Sequence, residues 1–423
     1  MKTNNRRVVY YTDCLVYGGC EKSMFEVMAS QAFVSRYDYL LVYRMTKEYT
    51  KGMRINHPDF PADKLLGINL FDINTVNIYL WEMVKNRYAL KILKKLITEI
   101  FILLSPFIFI YDYIILYFIF LRNKPEIVHI NNGGYPASLS CRAAAVAAKN
   151  AGARNVIMSV NNIAFKDTGY IDRVIDSLVR RSVDAITTAS AAAGRALAVN
   201  RGFNPKKIIT LPHGIEGALR NPDSNLAAGN MKVQNDRIVS IAARFEERKG
   251  HKYAIEAFKE MLQENKGLSG VKLILMGEGP MSGEIKELVS REGLDKNIIF
   301  MGQRDDCIDY IAKSLFLLLP SIGYEDLPFV ILEAMSLGVP VIGTDVAGIP
   351  EEIENGITGI VVPPKDAEAI KTAMVSLISD DNLRIKMGKA SRERFDKLFT
   401  LDRMISRYLA LYESIGESPK SYA

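Results

Sequence analysis

Residues Ser321–Pro364 read SIGYEDLPFVILEAMSLGVPVIGTDVAGIPEEIENGITGIVVPP, and this window decides the fold class. A short apolar run, Leu315–Leu319, leads into it and stops at Pro320, as a buried parallel strand stops at a turn. A loop then carries Glu325 and Asp326. Pro328 stands where a first-turn proline is favoured, so a helix is expected to begin there. Val330, Ile331, Ala334 and Leu337 recur at helical spacing and give that helix a buried face. Gly338 stops it. The next strand is Pro340–Gly343, and Gly343, Thr344 and Gly348 form a second loop at its carboxyl end. Free backbone N–H groups at the start of such a helix, around Leu327 and Pro328, make an anion-binding corner. Glu325 lies at its mouth beside Asp326. Glu333, inside the helix, presents a carboxylate that can accept hydrogen bonds from sugar or ribose hydroxyls.

The same alternation runs outward in both directions. Towards the C-terminal side of the chain's midpoint, strands are expected at Ile238–Ala242, Val271–Met276 and Ile298–Met301, with a helix from His251. Towards the N-terminus, strands are expected at Arg7–Tyr11, Tyr39–Tyr43, Glu126–Ile130, Asn155–Val160, Ala185–Thr188 and Lys207–Leu211. Helical periodicity covers Glu21–Met28 and Ala137–Ala148. Between the two blocks, Asn221–Asp236 (NPDSNLAAGNMKVQND) has almost no large apolar residue and reads as a linker. Two βα blocks around a linker imply an α/β protein with two doubly wound, Rossmann-like parallel sheets facing across a cleft. The expected division is residues 1–220 as the N-terminal domain, 221–236 as linker and 237–400 as the C-terminal domain. Residues 401–423 form a C-terminal helix expected to pack back on the N-terminal domain.

The 423 residues are 48% hydrophobic and 24% charged, with 29 Gly and 16 Pro, so collagenous and low-complexity classes are excluded. Lys+Arg minus Asp+Glu is 54 − 48 = +6, a mild excess that suits an anionic ligand or surface and demands no nucleic acid. Four cysteines with no C-x-x-C pair exclude a zinc ribbon or a thioredoxin-like motif. No metal site is expected. The N-terminal apolar run Val8–Tyr11 is too short for a signal-peptide core, and a cytoplasmic chain is expected.

One segment breaks the alternation. Ile100–Leu121 (IFILLSPFIFIYDYIILYFIFL) has a single charge, Asp112, and as a straight helix would span ~33 Å, enough to cross a bilayer. Lys91, Lys94, Lys95, Arg122 and Lys124 flank it. The strands on either side of it belong to one sheet, so the segment crosses an even number of times or not at all. Ser105-Pro106 and Tyr111–Tyr113 offer bends. The expectation is a membrane-associating insert over about 83–124, dipped in or folded as a hairpin, anchored by cations and tyrosines. A fully buried core helix is the alternative.

The window around Glu325 resembles the donor site of the retaining glycosyltransferases of family 4, which have the GT-B fold. The signature there is Glu, seven residues, Glu, here Glu325 and Glu333. It continues as Ala-Met-x-x-Gly-x-Pro-Val, here Ala334–Val341. Ala243–Gly250 (ARFEERKG) resembles the family's strand-end Gly-Arg-Leu…Lys-Gly, with Ala243 for the first Gly; the resemblance implies that Arg244 and Lys249 clamp the donor diphosphate. Gly277-Glu278-Gly279-Pro280 matches its Gly-x-Gly-Pro turn, and Pro212–Glu216 its Pro-Asn-Gly-Val-Asp segment, with His213 for Asn. Gly18-Gly19 matches the N-domain glycine loop. The resemblance covers roughly residues 6–45 and 125–410. Where the family has a His after the strand Asn155–Val160, this chain has Asn161, carried here into the catalytic set. Where a His-x-His is frequent, it has His129-Ile130-Asn131. An Asn can hydrogen-bond a hydroxyl but takes no proton, so no His general base is assigned. His129 itself is either a satisfied strand-end histidine or a site contact.

The resemblance implies sugar transfer with retention from a nucleotide-diphosphate sugar, UDP favoured over GDP, with no further cofactor. Arg244, Lys249 and helix-terminal amides would stabilise the departing diphosphate, Glu325 would hold donor-sugar hydroxyls and Glu333 the ribose. Gly19, Gly277, Gly279, Asp326, Leu327 and Pro328 would line the donor site. The apolar insert suggests a lipid-linked, glycolipid or polysaccharide acceptor at the inner face of the cell membrane. An inactive GT-B subunit, or a nucleotide-sugar epimerase or phosphorylase of the same fold, is the alternative. No D-x-D, G-x-x-x-x-G-K-[ST] or G-x-S-x-G sequence points to other chemistry.

Overall fold

The structure is a computed structural model that describes residues 6–70, 88–136, 138–166, 169–217, 237–323 and 325–416. The stretch expected as a linker, 221–236, lies outside the described residues, as do residues 83–87 of the insert and 417–423. The chain divides into two compact units. Unit 1 comprises 1–189, 193–211 and 405–423; unit 2 comprises 190–192 and 212–404. The N-terminal unit therefore ends at Leu211, short of residue 220. The helix Leu401–Gly416 begins in unit 2 and contributes its remainder to unit 1.

Unit 1 is built on seven parallel strands: β1 (Arg6–Thr12), β2 (Tyr37–Arg44), β3 (Leu65–Ile68), β4 (Ile127–Asn132), β5 (Asn155–Val160), β6 (Ala185–Thr188) and β7 (Ile208–Thr210). Their order is β3-β2-β1-β4-β5-β6-β7. The central strands are buried on both faces, which is why they read as unbroken apolar runs rather than alternating ones. The chain leaves β1 towards β2 and returns on its other side as β4, so strand order switches between β1 and β4. Ligand crevices in open parallel sheets form at the carboxyl ends of such a pair.

Unit 2 repeats the plan with β8 (Ile238–Ala242), β9 (Lys272–Met276), β10 (Ile298–Gly302), β11 (Phe316–Leu319), β12 (Val341–Thr344) and β13 (Gly359–Val362), in the order β10-β9-β8-β11-β12-β13. Its switch point lies between β8 and β11. The helices His251–Glu264 and Ala367–Ser379 cover one face, with Phe258, Met261, Met374 and Leu377 fully buried against the sheet.

The apolar insert is neither a hairpin nor a buried core helix. Tyr88–Asn123 is one continuous helix of 36 residues with Pro106 inside it. The bends expected at Ser105-Pro106 and Tyr111–Tyr113 do not divide it. One face, carrying Phe109, Asp112, Leu116 and Phe120, is buried in unit 1. It packs beside the helix Leu139–Asn150, whose Ala143, Ala144, Ala147 and Ala148 lose all exposure. Such small side chains let two helix backbones approach closely. The Tyr113 hydroxyl accepts from Asn150 Nδ2 at 3.0 Å. The opposite face keeps Leu103, Phe107, Ile110, Ile114, Phe118 and Leu121 exposed, with Leu103 at 70% and Phe107 at 69%. Their spacing of four, three, four, four and three residues is one helical stripe. Leu103–Asn123 is 21 residues containing an 18-residue window of mean hydropathy 2.0, long and apolar enough by length and composition to cross a membrane.

Candidate functional site

Unit 2 places its chemistry on the loops that leave β8, β9, β11 and β12. After β8 the chain turns through Glu247–Lys249, a single 3₁₀ turn, and enters the next helix at Gly250. Gly250 has φ +69°, and a Cβ there would lie 1.9 Å from the Pro320 carbonyl oxygen. The Ile322 N–H donates to the Arg248 carbonyl at 2.7 Å. The β8 loop is thereby fastened to the loop after β11. Lys249 Nζ contacts Glu325 Oε1 directly. Arg248 Nη1 reaches the same oxygen at 3.3 Å, and the Ser321 hydroxyl donates to it at 2.9 Å. Glu325 is buried, and two cations converge on one carboxylate oxygen at the switch point.

Arg244 is placed differently from Lys249. Its side chain is 70% exposed and pairs with Glu246 Oε1 at 3.0 Å. Arg248, absent from the expected set, is the second cation at Glu325. Nothing in the sequence distinguishes it from its neighbours; the tight turn brings two consecutive cations to one acceptor.

Pro328 is the cap of the helix Phe329–Ser336 rather than its first residue, with ψ of 119°. A residue before the first helical turn keeps extended ψ, and the N–H groups of the turn that follows are left without a side-chain cap. Gly338 does end the helix, at φ +66°. Its buried residues include Leu332 and Met335 in addition to Ile331 and Ala334, while Val330 is half-buried. Leu327 and Asp326 are buried, and Asp326 bonds the Ser190 hydroxyl. Glu333 is half-buried in the second turn and close enough to Cys307 to help raise that thiol's pKa, after burial. Gly277 and Gly279 support the site from beneath. A Cβ on Gly277 would lie 2.1 Å from the Ala243 carbonyl oxygen, and one on Gly279 2.4 Å from that of Phe245. Both glycines are therefore needed for the β9 loop to lie against the backbone that carries Arg244. His213 stacks on Phe329 with ring centroids 4.8 Å apart, and burial pushes its pKa down to about 4, so it is neutral.

Unit 1 places Gly19 and Asn161 at the carboxyl ends of β1 and β5. Gly19 begins the helix Gly19–Ala29. Asn161 Nδ2 donates to Asn131 Oδ1 at 2.7 Å, and Asn131 Nδ2 donates to Glu21 Oε1 at 2.9 Å. The two positions that depart from the family pattern are thus bonded to each other. His129 is a satisfied strand histidine: Nδ1 meets the Tyr412 hydroxyl at 2.5 Å and Nε2 the Ser159 hydroxyl at 2.7 Å. Burial lowers its pKa to about 3, which keeps it neutral.

Glu352, in the short helix Ile349–Glu352, is fully buried, and among the described residues neither carboxylate oxygen has a hydrogen-bond partner. Burial, then the nearby Glu325 and Asp326 charges, raises its pKa well above the ordinary 4.5. Its folded-state pKa exceeds the unfolded value, so its contribution is fully present below pH 4.5 and is lost as pH rises towards the folded value, at ~1.4 kcal/mol per pH unit. Glu352→Leu is accordingly expected to raise the melting temperature at pH 7.5 and to change it little at pH 4.5. Differential scanning calorimetry at the two pH values checks this; a gain of equal size at both contradicts the buried ionisable assignment.

Residues 224–394 match the family model described as "Glycosyl transferases group 1". N-acetyl-alpha-D-glucosaminyl L-malate synthase of Bacillus anthracis is 30% identical over 188 residues, which are 44% of this chain and 48% of that protein. O-antigen chain mannosyltransferase C of Escherichia coli is 26% identical over 241 residues, 56% of this chain and 62% of that one. The chain thus matches about half the length of these curated relatives. Among solved structures, a glycosyltransferase from Rickettsia africae aligns with TM-score 0.74 and 19% identity over 98% of this chain and 100% of its own. Anabaena Alr3699/HepE in complex with UDP aligns with TM-score 0.72 and 16% identity over 96% and 100%. The fold is GT-B.

Proposed function

We propose that the chain is a glycosyltransferase that moves a sugar from a nucleoside diphosphate sugar, with retention, to a lipid-linked or saccharide acceptor at a membrane surface. The observation that carries this reading is the convergence of Lys249, Arg248 and Ser321 on Glu325 where unit 2 switches strand order. Charge grows on the leaving diphosphate as the glycosidic bond breaks, and fixed cations beside uncapped helix N–H groups are suited to stabilise it. Lys249, Arg248 and the first-turn amides of Phe329–Ser336 take that role, and Arg244, exposed and paired with Glu246, adds a further cation. Glu325 holds donor-sugar hydroxyls and Glu333 the ribose. The acceptor hydroxyl attacks from the leaving-group face, and a phosphate oxygen takes its proton. In keeping with this, burial keeps His129 in unit 1 and His213 in unit 2 neutral.

UDP is the favoured nucleotide, in keeping with the relative named UDP-Gal:alpha-D-GlcNAc-diphosphoundecaprenol alpha-1,3-galactosyltransferase, 24% identical over 70% of this chain. The acceptor side is assigned to unit 1, whose long helix carries the exposed apolar stripe. That helix is read as lying in the plane of the membrane surface, because a spanning arrangement would place buried Asp112 and its partner helix in hydrocarbon.

A thermal-shift panel with UDP, GDP, ADP and CDP tests the donor assignment. Ligand at a hundred times its Kd stabilises by ~2.7 kcal/mol, so UDP is expected to raise the melting temperature of the wild type and not of Lys249→Ala. Stabilisation by none of the four removes the donor site and favours an inactive subunit. Donor consumed without an acceptor, giving an isomeric nucleotide sugar, favours an epimerase.

A further inference from the structure

Cys14, Cys20 and Glu21 have no part in the transfer reaction described above, yet they come together at the carboxyl end of β1. One ligand atom from each lies within 4.8 Å of the others. Cys14 Sγ is 3.9 Å from Cys20 Sγ, and the Cys20 thiol donates to Glu21 Oε2 at 2.7 Å. Glu21 Oε1 is held by the Thr12 hydroxyl at 2.7 Å and by Asn131 Nδ2 at 2.9 Å. Glu21 is fully buried, and among the described residues no Lys, Arg or His pairs with it. A buried carboxylate faced by two thiols and no cation is a site short of positive charge.

We propose that Cys14, Cys20 and Glu21 bind one divalent cation of the zinc class. Two thiolates on a tetrahedral zinc, each at ~2.3 Å, lie ~3.8 Å apart. The sulfurs already stand at that spacing. Binding replaces two thiol protons: two metal–sulfur bonds form, both protons pass to solvent, and no oxidant or reductant is involved. The ionised Glu21 supplies the third ligand through Oε2, while Thr12 and Asn131 continue to orient it through Oε1, as outer groups orient metal-bound carboxylates. Water takes the fourth position. Thiolate ligands select zinc over magnesium or calcium. The bound ion ties Cys14, at the end of β1, to the first turn of the following helix, and so clamps the intervening loop with its Gly18-Gly19 pair. The C-x₅-C spacing is outside the short ligand spacings by which zinc motifs are read from sequence, and only the folded loop brings the sulfurs together.

The test uses the intact chain, freed of metal with a chelator and kept fully reduced. Co²⁺ is titrated as the optical probe, and Zn²⁺ in competition with a chromogenic indicator. One equivalent per chain is expected, with a sulfur-to-cobalt charge-transfer band in the near ultraviolet. Cys14→Ser and Cys20→Ser should each weaken Zn²⁺ binding about tenfold or more while melting as cooperatively as the wild type. Glu21→Gln should weaken binding but retain the charge-transfer band. A folded wild type with no such band overturns the proposal. So does a band of undiminished intensity and affinity in both serine variants, which would assign the metal to Cys307 or Cys141. Loss of two thiols per chain on peroxide treatment, with no cobalt band in the reduced protein, would make the pair a disulfide and overturn it equally.

Discussion

Lys249→Met is expected to lower kcat/KM by about two to three orders of magnitude, the loss typical of removing one charge-stabilising donor from a preorganised site. Lys249 is 12% exposed and bears directly on Glu325 Oε1. Its ammonium serves both the buried carboxylate and, in the proposed reaction, the departing diphosphate. Methionine keeps the stem length and removes only the charge, so a lost packing contribution would leave it nearly active. Lys249→Arg, which keeps the charge, is expected to stay within about tenfold of the wild type. Arg248→Met, acting from 3.3 Å, should cost less than Lys249→Met. Release of nucleotide from the donor that the thermal-shift panel selects gives the readout. The stability effect is separable: Glu325 left with Arg248 and Ser321 loses its closest counter-charge, so Lys249→Met should destabilise the wild type more than it destabilises Glu325→Gln. Equal turnover of Lys249→Met and wild type would remove the site assignment, whatever the stability result.

Much of this site was legible in the sequence because its parts stand at strand ends. Central strands buried on both faces are continuous apolar runs, and the residue that ends each run is automatically at the carboxyl edge of the sheet. Glu325 and Asp326 stand out that way, in the loop after β11, whereas Arg244, Lys249, Gly277 and Gly279 come from the family resemblance. Of the four edge strands, β7 and β10 were expected and β3 and β13 were not: Leu65–Ile68 and Gly359–Val362 are four residues each and carry glycine, so no unbroken apolar run marks them, and their existence follows from pairing with β2 and β12. Arg248 was not legible either, since its direction is set by a turn that Gly250 and Pro320 lock from opposite sides. The Asn131–Asn161 bond depends on the register of β4 against β5, in which Asn131 faces Ser159 and Asn132 faces Val160. The helix within the insert shows the limit most plainly. A run apolar on every face carries no moment that says which face is buried. Only Asp112 breaks the run, and it lies on the packed face.

That asymmetry gives the second large expectation. Phe107→Glu combined with Phe118→Glu should abolish co-sedimentation with vesicles of mixed zwitterionic and anionic lipid, while leaving the melting temperature within about 2 °C of the wild type. The two rings are 69% and 61% exposed and eleven residues apart, three helical turns along the same stripe. Each contributes at most ~1.5–3 kcal/mol on full transfer out of water. Losing both therefore costs up to ~3–6 kcal/mol, or about two to four decades in partitioning, before any repulsion between the new carboxylates and anionic headgroups is counted. Phe109→Ala makes the contrast. Phe109 is buried in the unit 1 core, so its truncation should lower stability by about 3 kcal/mol or more and leave the lipid-facing stripe chemically unchanged. Arg122→Glu with Lys124→Glu should weaken binding in a salt-dependent way, at ~1 kcal/mol per lost cation, and wild-type binding that resists salt but falls with the phenylalanine pair would show that the stripe, not the charge, supplies the hold. If the wild type stays in the supernatant at low salt, the stripe is not a lipid face, and with it the membrane-surface acceptor loses its physical basis while the donor site at Glu325 stands untouched.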